Sequence, residues 1–136
     1  MKKLFELSSC YDEGYDGADD LFSANSREEV AEYMLKEIRK YLENKDENRN
    51  ENSKGAKYFR ILRMMKAEII NSKKGYEKIR KNGFVYDDYE MEIFEKRMRK
   101  ITPAQLLGAM DSSYVDGDSN AQICLHEYRF EDIIEV

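Results

Sequence analysis

The apolar positions of this chain switch between two spacings, and each switch marks an element. From Lys54 to Gly83, Tyr58, Leu62, Met65, Ile69, Tyr76 and Ile79 recur at steps of three, four and seven. That spacing is one stripe of a helix, and Arg60, Arg63, Lys74, Lys78 and Lys81 fall on the opposite face. Gly75 interrupts the pattern and predicts a kink or a break into two helices, and Asn82-Gly83 supplies a stop. Upstream, Ser26 and Glu29 form a capping box, and Val30, Met34, Ile38, Tyr41 and Leu42 give a second stripe ending near Asn44. Downstream, Asp87 and Glu90 open a third helix with the stripe Met91, Phe94, Met98 and Ile101. Thr102-Pro103 with Gln105 starts a short fourth one over Ala104 to Met110.

The two ends of the chain read differently. Lys3 to Ser9 mixes apolar and polar residues as a strand does, and Leu21 to Ala24 predicts a second strand. Between them Tyr11 to Asp20 (YDEGYDGADD) is too long for a tight turn and predicts an exposed acidic loop. Gln122 to Phe130 alternates and predicts a strand after a turn at Asp116-Gly117, one able to pair with the N-terminal strand. The expected fold is α+β: a small antiparallel sheet from the terminal strands, packed against four to five helices. The alternative is an all-α bundle with the tail as helix–loop–helix. With 136 residues the expectation is a single domain, 1–136, in which the polar run KDENRNENS at 45–53 is a flexible loop.

Charge adds a pattern that hydropathy hides. Residues 1–35 carry 3 basic and 9 acidic side chains, residues 36–110 carry 19 and 12, and residues 111–136 carry 1 and 7. An acidic–basic–acidic chain presents both signs to partners. Met-Lys-Lys is not followed by an apolar stretch, and no run has the length that a membrane span needs. Cys10 and Cys124, without a framework spacing, fit a reducing compartment, so the expected location is cytoplasmic.

Candidate chemistry is sparse. Counting from Asp116, DGDSNAQICLHE resembles an EF-hand calcium loop: Asp116, Asp118 and Asn120 stand at positions one, three and five, and Glu127 at twelve. It departs from that pattern where Ala121 replaces the turn glycine at position six. Cys10, Cys124 and His126 would meet if the terminal strands pair, but Cys-X-His lacks a second ligand pair for zinc or a third group for a nucleophilic centre. No phosphate-cradling loop is present. The expectation is therefore no enzyme, no cofactor and no metal site.

Two surfaces remain as binding candidates. The acidic segment sets Asp12, Glu13, Asp16, Asp19 and Asp20 among Tyr11 and Tyr15, so that its carboxylates stand where phosphates would on a basic partner. The basic face Arg60, Arg63, Lys74, Lys78 and Lys81 would hold nucleic acid directly. The leading expectation is a non-enzymatic interaction protein with a protein or nucleoprotein partner. In size and charge it is similar to the small phage or mobile-element inhibitors of nucleic-acid-handling enzymes, of which anti-CRISPR proteins are one type. Direct nucleic-acid binding through the basic helix and a calcium-responsive module are the alternatives.

Overall fold

A computed structural model describes residues 2–11, 16–63, 88–112, 121–129, 131 and 134. The chain is α+β: a three-stranded antiparallel sheet and, among the described residues, four α-helices. Strand β1 (Lys3–Tyr11) is central, with β2 (Asp16–Ala24) on one side and β3 (Ala121–Tyr128) on the other. The ends of the chain therefore build the sheet, and the strand at 121–128 excludes the all-α alternative.

The second strand is longer than its apolar residues indicate. It begins at Asp16, not Leu21, and leaves only residues 12–15 between the strands. The acidic segment is thus half strand, a correction to the exposed loop predicted from composition. Backbone pairing explains the extension: β1 is bonded on both sides, and its row from Ser8 to Cys10 holds Asp16, Gly17 and Ala18 in register despite their low strand propensity. The register slips between Leu7 and Ser8, which leaves Asp19 as a bulge residue.

One face of the sheet is apolar. Phe5, Leu7, Ala24, Ile123 and Leu125 are buried on it, against helix α1 (Arg27–Glu43). Ser26 caps α1, its Oγ accepting from the Glu29 N–H at 3.2 Å. The Glu29 carboxylate returns to the Asn25 N–H at 3.0 Å, one residue before the cap that a standard capping box would reach. Val30, Ala31, Met34, Leu35, Ile38 and Leu42 then bury one side of the helix. This helix touches β2, helix α2 (Lys54–Leu62), helix α3 (Asp88–Met98) and helix α4 (Pro103–Ser112), and so forms the axis of the molecule. Helix α4 starts as its sequence predicts: the Thr102 hydroxyl accepts from Gln105 N–H at 3.1 Å, and the Gln105 side chain accepts from Thr102 N–H at 3.0 Å.

Helix α2 lies against α1 with almost no separation at its first turn. A methyl group on Gly55 would stand 2.7 Å from the Glu37 carbonyl carbon and 2.9 Å from Tyr41 Cβ, and closer still to the Glu37 oxygen. Only glycine allows that approach. Ala56, Tyr58, Phe59, Ile61 and Leu62 are buried behind it. The predicted long basic helix is observed over Lys54–Leu62 with Arg63 following. Met65, Ile69, Lys74, Gly75, Tyr76, Lys78, Ile79, Lys81 and the Asn82-Gly83 stop lie outside the described residues, as do Asp87 and the Asp116-Gly117 turn.

Three arginines tie the ends of α1 and α3 together. Arg39 on α1 donates to the carbonyls of Met98 and Ile101, and Arg99 beyond α3 donates to that of Leu42. Each helix thus satisfies the open C-terminal carbonyls of the other. The polar run 45–53 contains a short 3-10 turn (Asp46–Asn48) and the third arginine. Arg49 has a side chain only 8% exposed; it donates to Asn44 O at 2.9 Å, pairs with Glu95 at 2.8 Å and lies over the Tyr41 ring at 5.5 Å.

Replacing Gly55 with Ala should lower stability by about 3 kcal/mol, the upper end of the usual cost of overpacking, measured as a shift of the urea midpoint without a change in slope. Arg49→Ala should cost about 1–3 kcal/mol because it leaves the largely buried Glu95 carboxylate without its main partner. Glu95→Gln in the Arg49→Ala background should then recover part of the loss; no recovery would mean that the ion pair is not the source.

Candidate functional site

A concave surface beside the acidic candidate Asp20 lies between the outer edge of β2 and the two helices below it. Strand residues Asp20 to Ala24 form one wall, Glu29, Val30 and Tyr33 of α1 the floor, and Lys54 and Tyr58 of α2 one end. The groove measures about 440 Å³, within the size range of ligand-binding clefts. Three of these lining residues are aromatic: Phe22, Tyr33 and Tyr58 form a triangle with centroids 6.0, 6.0 and 6.2 Å apart, two of the pairs edge-to-face.

The site follows from the packing below it. The α1–α2 approach at Gly55 brings Tyr58, one turn later, beneath β2, where its hydroxyl donates to Asp20 Oδ2 at 2.7 Å. Lys54 Nζ reaches the same oxygen at 3.0 Å. The other Asp20 oxygen accepts from the Leu21 N–H at 3.1 Å. Burial by itself raises the Asp20 carboxyl, but the hydrogen bonds from Tyr58 and Lys54, with Lys57 nearby, outweigh it and hold the group below the usual carboxylate range. Burial, and then the bond to Asp20, raise the Tyr58 phenol far above its ordinary value, so it stays a neutral donor.

Of the acidic candidates, Asp20 is therefore engaged inside the fold. Tyr11 is the last residue of β1, and Asp16 and Asp19 lie on β2 at its start and at the bulge. Asp12, Glu13 and Tyr15 lie outside the described residues. On the basic face, Arg60 is exposed and donates to the Glu51 carbonyl at 3.0 Å, with the Glu51 carboxylate at 3.5 Å; Arg63 is half-buried just beyond α2.

Strand pairing sets Cys10 opposite Gln122, Cys124 opposite Ser8 and His126 opposite Glu6, on alternate positions of the sheet. His126 stacks edge-on against Tyr128 at 4.7 Å, and Tyr128 donates to Glu6 at 2.8 Å. Among the described residues no three His, Cys, Asp or Glu side chains gather in a way that would hold a metal ion. Glu127, twelfth in the EF-hand-like stretch, sits in β3 opposite Phe5 and pairs with Lys3 at 2.9 Å. A strand therefore stands where a calcium-binding loop of that type continues into a helix. No helix among the described residues is long and apolar enough to cross a membrane.

Leu21, Phe22, Tyr33 and Tyr58 were not singled out as a surface by the sequence. Tyr33 is the one detectable signal: it breaks the polar face of α1 beside Val30, and it is 42% exposed. No family model, curated protein or solved structure matches this chain, so the functional reading rests on the geometry of the surface.

The Asp20–Tyr58 bond carries a pH dependence of defined sign. Asp20 is depressed when folded, so its stabilisation is present above the unfolded value of about 3.9 and lost as pH falls through the lower folded value. Tyr58 is raised, so its share is present below the unfolded value of about 10 and lost in more alkaline solution. Tyr58→Phe should cost about 1–2 kcal/mol at neutral pH, and the difference from the parent should shrink below about pH 4. Urea titrations at a series of pH values measure it; a difference independent of pH would refute the assignment.

Proposed function

We propose that this protein is a non-enzymatic binding module that attaches to a basic surface of a macromolecular partner through its acidic hairpin side. The observation that supports this reading is the composition of one edge of the sheet. Asp16, Asp19 and Asp20 occupy three of the first five positions of β2, and Leu21, 59% exposed, follows them. Negative charge and exposed apolar area thus adjoin, a combination that gives a protein interface both its steering and its contact energy.

A hairpin of this kind would neutralise lysines and arginines that otherwise hold phosphates, which is the chemistry of an inhibitor of a nucleic-acid-handling enzyme. Such an inhibitor of phage or mobile-element type, acting in the cytoplasm, is the specific form of the proposal. The engagement of Arg60 by Glu51 favours the acidic side over direct binding of nucleic acid by α2.

The test compares two fluorescent probes, a lysine-rich polypeptide and double-stranded DNA, by anisotropy across a salt series. The lysine-rich probe should bind and weaken as salt rises, and Asp16→Lys/Asp19→Lys should weaken it by about tenfold or more. Binding of DNA that is lost in Arg60→Glu/Arg63→Glu, with none of the lysine-rich probe, would replace this reading with direct nucleic-acid recognition.

A further inference from the structure

We propose that the outer edge of β2, together with the groove above Phe22, Tyr33 and Tyr58, takes up an extended basic segment of the partner as an added strand. This rests on the acidic-surface reading and names the form in which the partner binds. Three independent features support it: backbone direction, groove shape and charge.

The first is the backbone. In the order β2-β1-β3, strand β2 has a neighbour on one side only among the described residues. The Leu21 N–H donates to the Asp20 carboxylate at 3.1 Å. Bonded and non-bonded positions alternate along an antiparallel pair, and the register from Leu21 to Ala24 is regular. Leu21 and Ser23 are therefore the residues whose backbone groups face away from the sheet. The bulge at Asp19 twists the strand beyond them and limits the regular edge to the five residues Asp20 to Ala24.

The second is the groove. The residues that form its wall are that same run, so an incoming strand would lie with its backbone on β2 and every second side chain over the aromatic lining. Leu21 and Tyr33 stand exposed beside it. An apolar or aromatic side chain in the incoming strand matches the lining formed by Phe22, Tyr33 and Tyr58.

The third is charge. The sequence from Asp16 to Tyr33 holds Asp16, Asp19, Asp20, Glu28, Glu29 and Glu32, against Arg27 alone. Arg27 already pairs with Asp111 at 3.0 Å, and Lys54 at the groove's end already pairs with Asp20. Among the described residues Glu28, Glu29 and Glu32 are exposed and form no salt bridge, so this side of the groove carries negative charge, and the complementary occupant alternates lysine or arginine with apolar residues.

The experiment uses the isotopically labelled full chain and three peptides: a heptapeptide alternating Lys with Val and Phe, the same peptide N-methylated at alternate amides, and a version with Glu in place of Lys. The lysine peptide should shift the amide resonances of Leu21 and Ser23 and slow hydrogen exchange at Ser23. N-methylation removes backbone donors without changing charge and should weaken binding about tenfold or more; the Glu peptide should not bind. Ser23→Pro removes the outward donor at an edge position that tolerates proline and should weaken the lysine peptide alike.

Equal binding of parent and N-methylated peptides, both lost in Asp16→Lys/Asp19→Lys, would overturn strand addition and leave the acidic-surface reading standing. Loss on N-methylation with no effect of those charge reversals would sink the acidic reading and keep the edge. Absence of any shift with the three peptides overturns the inference. So does concentration-dependent sedimentation abolished by Ser23→Pro, which would identify a second copy of this chain as the occupant.

Discussion

The close approach of α2 to the backbone of α1 at Gly55 is the constraint on which the rest of this structure depends. The absence of a side chain there lets two helices meet with the Glu37 carbonyl in contact with the Gly55 Cα region, and that distance fixes the depth of every later residue of α2. Tyr58 and Phe59 are driven into the interior in different directions. Phe59 meets Tyr41 at 5.7 Å and Phe94 at 5.2 Å, so one aromatic row joins α1, α2 and α3. Tyr58 goes the other way, under β2, and carries its hydroxyl to Asp20.

The helix ends are secured by charge as well as by burial. Arg39, Arg49 and Arg99 direct guanidinium donors at carbonyls where α1 and α3 finish, and Glu95 receives both Arg49 and, at 3.7 Å, Arg99. A planar guanidinium with several donors can cap a carbonyl and hold a carboxylate at once, which an ammonium does less well. These three arginines are therefore spent on the fold. On the acidic side, by contrast, Glu28, Glu29 and Glu32 of α1 stand exposed.

That asymmetry explains why the functional reading moves toward β2. Asp20 has been drawn inward by Tyr58 and Lys54, and the strand it lies on turns an acidic stretch of sequence into an ordered edge. The groove beneath is formed by β2 and the first half of α1, which follow one another in sequence, closed by the start of α2 from some twenty residues further on. A surface of this origin has no linear motif.

Local chemistry determined the parts of this protein that need only neighbours in sequence. Ser26, Thr102 with Gln105, and the stripe Val30, Met34, Ile38 and Leu42 state where helices begin and which side they bury, because caps and helical periodicity act over three or four residues. The pairing of the terminal strands was also legible, from alternation in 122–130. The start of β2 was not, since Asp16 to Asp20 has no strand propensity and owes its conformation to hydrogen bonds from β1. Nor was the burial of Arg49 within KDENRNENS, where composition indicates solvent and only the nearness of Glu95 and Tyr41 supplies the partners. Tertiary structure alone decided that Tyr33, Tyr58 and Phe22 meet, because contacts between distant segments depend on how closely two helices approach, and here one glycine sets that distance.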